Sequence, residues 1–123
     1  MTAGELIARV DALRPNQYSA EEKLEWLRRI DGQILRELER THGEAAPAEP
    51  GELAPYTEAT ELRVSFPYDE ELYSAWLFSQ IDLHNGETAR YNQSMSLLAA
   101  AWRQAADSVN RSLPPRGARA WRL

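Results

Sequence analysis

Residues 69–113 read DEELYSAWLFSQIDLHNGETARYNQSMSLLAAAWRQAADSVNRSL, and their pattern decides the fold. Leu72, Tyr73, Ala75, Trp76, Leu77, Phe78, Ile81 and Leu83 leave little polar surface between Asp69 and Asn85. A helix apolar nearly all round is buried on several sides. Asn85-Gly86 stops it, because glycine readily takes the left-handed conformation just past a helix end. The next stretch, from Glu87 to Leu113, carries Tyr91, Met95, Leu98, Trp102, Ala105 and Val109 at alternating spacings of four and three. That heptad seam predicts a second long helix, and its alanines permit close approach of a neighbour.

Upstream, the same signals recur. Thr2 and Glu5 are spaced as a capping box, followed by the stripe Leu6, Ile7, Val10 and Leu13, and Pro15 ends the helix. Ser19 and Glu22 form a second capping box, opening a helix through about Arg40 with Leu24, Leu27, Ile30, Ile34 and Leu38 on one side. Glu25 and Arg29 are placed to pair on its solvent face. From Gly43 to Tyr56 the composition changes to three prolines, two glycines and three glutamates with no apolar period, the mark of a linker or long loop. Leu62, Val64 and Phe66 then alternate in ELRVSF, residues 61–66, as in a short strand or extended arm. A lone strand needs a partner. Residues 52–60 or another chain are the alternatives, and the second is preferred. The predicted fold is all-α, a short four-helix bundle with a long Pro-rich loop and one extended arm. Residues 1–113 form the helical domain, with residues 43–66 as loop and arm, and 114–123 form a basic tail.

Composition narrows the function. The chain has 123 residues, a net charge of −5 and no cysteine, which excludes disulfides, thiolate metal sites and cysteine nucleophiles. No apolar run reaches a bilayer span, and residues 1–15 lack a signal peptide's layout, so no membrane association is expected. The two histidines, His42 and His84, are placed for a helix terminus and for packing rather than catalysis. Asp82 and His84, two apart on a helix, point to different faces and cannot chelate together. Glu21-Glu22 and Glu70-Glu71 lie in predicted first turns, where the helix dipole stabilises them. No phosphate loop, nucleophile elbow or His-Glu-x-x-His motif is present. The expectation is a non-enzyme with no cofactor and no metal.

Thirteen of the fourteen basic groups are arginine. Arg116, Arg119 and Arg122, with Trp121, make the tail a candidate docking peptide for an acidic protein partner, since arginine and tryptophan are typical interface anchors. Phosphate contact by the tail and a merely solubilising role are the alternatives. Residues 43–72 hold eight acidic groups against one basic, which disfavours DNA. Trp76 and Trp102 read as core. Trp26, off the main stripe, reads as exposed and, with Leu62, Val64 and Phe66, as a candidate subunit interface.

Particular residues also carry a resemblance: Pro67-Tyr68-Asp69, Leu72-Tyr73, Ile81-Asp82, Asn85-Gly86-Glu87, Tyr91-Asn92 with Ser94, and Asn110-Arg111 before a proline. With Arg9-Val10-Asp11, Pro15-Asn16 and Trp26-Leu27, these resemble the head–tail connector (adaptor) proteins of tailed phages and prophages over about two thirds of the chain. The Ala/Pro-rich linker and Trp102, where a tyrosine is expected, depart from that pattern. The resemblance implies a non-catalytic virion protein at the head–tail junction, present in the host cytoplasm during assembly. It would form a homo-oligomeric ring beneath the portal protein, touch other neck or tail-completion proteins, and let DNA pass without specific binding. The alternative is a small helical prophage regulatory module that binds DNA or another regulator.

Overall fold

The computed structural model describes residues 1–42 and 53–112, with the side chains of His42 and Ser112 excepted. Its four helices are α1 (Ala3–Leu13), α2 (Ala20–His42), α3 (Asp69–His84) and α4 (Thr88–Ser112). The architecture is an all-α bundle, and among the described residues there is no strand.

Both capping signals act as expected. The Thr2 hydroxyl accepts the Glu5 N–H at 3.2 Å, and the Ser19 hydroxyl accepts the Glu22 N–H at 3.1 Å. Helix α1 buries Ala3, Leu6, Ile7 and Val10. Leu13, expected on the same stripe, is instead 72% exposed. The contact at that end belongs to Arg14, whose guanidinium lies 4.4 Å from the Phe78 ring centroid. In α2, Leu24, Leu27, Ile30, Ile34 and Leu38 are all buried. Glu25 pairs with Arg29 at 3.4 Å and more closely with Arg28, at 2.6 and 2.8 Å. Those guanidiniums hold the Glu25 carboxyl below its ordinary range, chiefly through Arg28.

Helix α3 is the hub. It packs against each of the other three helices, with Leu72, Tyr73, Leu77 and Ile81 essentially inaccessible. Its end is built as the Asn-Gly pair demands: Gly86 takes φ +71°, and the Glu87 N–H reaches back to the Asp82 carbonyl at 2.9 Å. The chain then reverses into α4, which lies along α3. The heptad seam is buried at Leu98, Trp102 and Ala105, half-buried at Tyr91, Met95 and Val109, and widened by buried Ala101 and Ala106.

The extended arm departs from expectation. Within the chain it pairs not with residues 52–60 but with the protein's own first four residues. Ala3 N–H donates to the Thr60 carbonyl at 2.8 Å, Gly4 N–H to Glu58 at 2.9 Å, and Leu62 N–H to Met1 at 3.0 Å. The result is an isolated antiparallel bridge between Thr2 and Glu61 rather than a ladder. Gly4 makes the approach possible, since a Cβ there would fall 2.9 Å from the Glu58 carbonyl oxygen. Phe66, in the cis Phe66-Pro67 unit, is 86% exposed. Linker residues 43–52 and the tail from residue 113 lie outside the described residues.

Candidate interaction surface

Three polar and aromatic braces fix the helices, and an apolar groove lies between two of them. The first brace is Asp31, which occupies the apolar stripe of α2 between Leu27 and Ile34 and is wholly buried. Its carboxylate accepts the Tyr56 hydroxyl at 2.5 Å, the Arg63 backbone N–H at 3.3 Å, and the Tyr73 hydroxyl. The Tyr73 oxygen in turn accepts the Val64 N–H at 2.8 Å. One carboxylate thus ties α2 to α3 and to the segment before α3. Burial pushes the Asp31 carboxyl up despite its hydrogen bonds, and burial beside that carboxylate pushes both tyrosine hydroxyls up. The tyrosines therefore remain donors at any ordinary pH.

The second brace is Asp82, also wholly buried. Arg14 donates to both of its oxygens at 2.8 Å, and the Ser94 hydroxyl donates to one of them at 2.8 Å. It joins α1, α3 and α4. At one end of the bundle, Tyr18, Trp26 and His84 pack as a cluster of rings, Trp26 and His84 with centroids 5.0 Å apart and Tyr18 edge-on to both. The Tyr18 hydroxyl donates to the Asn85 side-chain oxygen at 2.6 Å. His84 Nδ1 lies 2.8 Å from the Gln80 carbonyl, which can only accept, so that nitrogen carries a proton.

These braces relocate several sequence-predicted residues. Trp26, expected at the surface, is 4% exposed: His84 and Tyr18 cover its ring, and its carbonyl accepts the Trp76 indole N–H at 2.7 Å. Of the arm residues, Leu62 is buried in the chain's own core and Val64 half-buried, which leaves Phe66 as the one accessible member of the candidate subunit interface. Arg116, Arg119, Trp121 and Arg122 lie outside the described residues. His84 sits at the surface against the rings rather than in the core. Asp31 and Lys23 were not singled out from the sequence. Lys23 is buried and pairs with Asp11 at 2.7 Å.

Helices α2 and α4 each approach α3 but not each other. The gap is a groove of about 550 Å³ with Ile30, Trp76, Met95, Leu98 and Trp102 among its walls and Arg36 and Glu37 contributed by α2. Its volume is that of a site for a few large side chains. Leu83, at 51% exposure, and Leu97, at 61%, are further exposed apolar groups. Among the described residues no three acidic or histidine side chains converge as a metal-binding group, and no helix is long and apolar enough to cross a membrane. Searches against protein-family models, curated proteins and solved structures returned no match for this chain.

Proposed function

We propose that this protein is a structural component of a tailed phage or prophage, a head–tail connector that forms a ring beneath the portal and carries the DNA channel toward the tail. The observation that carries the reading is what the family-like residues do in the fold. Tyr73 meets Asp31, Asp82 meets Arg14 and Ser94, Asn85 receives Tyr18, and Gly86 supplies the left-handed turn. Several of the residues behind the resemblance, Tyr73, Asp82, Asn85 and Ser94, thus hold one helix against another, which supports a likeness in architecture. The groups with chemical potential are likewise engaged in structure: Asp31 and Asp82 are sealed among donors, and the first-turn carboxylates sit where a helix dipole favours them. That supports a non-catalytic role.

In this reading the bundle is the ring subunit, and its acidic surface suits a channel wall along which DNA slides without adhering. Phe66, exposed beside α3, is the candidate contact between subunits. The tail carrying Arg116, Arg119, Trp121 and Arg122 docks on the portal. Quantitative mass spectrometry of purified virus particles tests the reading. A copy number comparable to the portal and far below the major capsid protein is the expected result. Absence from intact particles, with the protein present in infected cells, removes the structural role and favours the regulatory one.

A further inference from the structure

We infer that Asn85-Gly86 is a deamidation site gated by the fold: the native turn withholds it from reaction, and the isoaspartate formed when the turn opens cannot rebuild it. The inference is independent of the connector reading. The reaction needs no enzyme and no reagent but water. The Gly86 backbone nitrogen attacks the Asn85 side-chain carbonyl carbon, its proton passes to the departing amine, and ammonia leaves. Water then opens the resulting cyclic imide at either carbonyl. One product is aspartate; the other is isoaspartate, whose main chain runs through the former side chain.

Sequence and exposure make this pair the reactive one. Of the asparagines Asn16, Asn85, Asn92 and Asn110, only Asn85 precedes a glycine. Glycine has no Cβ to shield its nitrogen, and a Cβ placed at Gly86 would meet nothing within 4 Å. Both residues are exposed, so water reaches them.

The backbone is what withholds the site. Ring closure requires the Gly86 nitrogen and the Asn85 Cβ to lie nearly eclipsed about the Cα–C bond. Asn85 instead has φ −82° and ψ −7°, close to helical, which turns that nitrogen away from Cβ. Three amide hydrogen bonds fix the arrangement: Asn85 N–H to the Ile81 carbonyl at 2.9 Å, Gly86 N–H to Leu83 at 3.1 Å, and Glu87 N–H to Asp82 at 2.9 Å. The attacking nitrogen is thus itself a donor in the native turn. The Tyr18 hydroxyl donates to the Asn85 side-chain oxygen at 2.6 Å, which makes that carbonyl more electrophilic. Protection therefore rests on the turn and not on the side chain.

The two products differ in what they leave intact. Aspartate keeps the backbone spacing and sets a carboxylate at the C-terminal end of α3, a modest penalty from the helix dipole. Isoaspartate adds a methylene to the main chain, which displaces Gly86 from its φ of +71° and draws the Glu87 N–H off the Asp82 carbonyl. Among the described helices α4 packs on α3 alone, so this corner decides whether it docks.

The test follows Asn85 by tandem mass spectrometry in the full-length protein at mildly alkaline pH, folded and in guanidinium chloride. Asn16, Asn92 and Asn110 serve as internal references. Deamidation of Asn85 should run at least about tenfold slower in the folded protein, since it must wait for local opening. Equal rates overturn the gating. In denaturant, Gly86→Ala should bring Asn85 down toward the reference asparagines. An unchanged rate means direct hydrolysis and overturns the site. After the denaturant is removed, the isoaspartyl fraction, identified by isoaspartyl methyltransferase labelling, should lose hydrogen-exchange protection along α4, whereas Asn85→Asp retains it. An isoaspartyl form that protects α4 as the native chain does overturns the claim about the product.

Discussion

At the scale of single residues, the decisive positions are the two buried aspartates. Asp31 is held by three donors from two other segments of the chain. Truncation to alanine strands two buried tyrosine hydroxyls and opens a void, so Asp31→Ala should cost about 3 kcal/mol, read from urea denaturation. Asp31→Asn separates packing from charge. The Asp31 carboxyl is raised in the folded state above its ordinary value near 3.8. The folded state therefore holds the proton more tightly than the unfolded chain. That contribution is fully present below the unfolded value and is lost as pH rises through the folded one. Relative to Asp31→Asn, the native protein should lose stability as pH climbs from about 4 through that window, then run parallel above it. Parallel curves throughout would show that the carboxyl titrates alike in both states.

At the scale of elements, Gly86 isolates the turn between α3 and α4. A Cβ at Gly86 meets nothing within 4 Å, so Gly86→Ala tests the φ of +71° alone. It should destabilise by about 1 to 2 kcal/mol without changing the helical circular-dichroism signal. A loss of helicity would instead mean that the turn governs whether α4 forms. The helices were legible in the sequence because their evidence is local: Thr2 and Ser19 as caps, Pro15 and Gly86 as stops, and stripes of period 3.6. The arm was less so. Alternation at Leu62, Val64 and Phe66 encodes a strand's period but not its partner, and pairing with residues 1–4 leaves only one bridge. Trp26 was misplaced because α2 is covered on two sides, by α3 along its stripe and by Tyr18 and His84 beside it. Asp31 left a signal that is plain once the structure is seen: it falls in step with Leu24, Leu27, Ile34 and Leu38, the register of a core position. Nothing local marks Tyr56 and Tyr73 as its partners, since they lie 25 and 42 residues away in sequence. The groove was equally hidden, because it arises from two helices failing to meet.

At the scale of the whole molecule, net charge sets the behaviour toward nucleic acid. With a formal charge of −5 and a pI near 5.1, the protein should show no saturable binding to a fluorescent duplex up to about 100 µM at low salt. Binding that is tight at low salt and falls steeply as salt rises would support the regulatory alternative. The long-range ties have a further consequence, in the order of events during synthesis. Helix α1 is made before the other three, yet its settling points come late: Thr60 and Glu58 for its opening amides, and Asp82 for Arg14, 68 residues downstream. At about 5 to 20 residues per second, a ribosome needs roughly 3 to 14 s to travel from the end of α1 to Asp82. Throughout that interval Leu6, Ile7 and Val10 have only α2 to pack against. The nascent chain thus leaves part of that apolar stripe open to chaperones, and the packing of α1 is completed only once α3 has emerged.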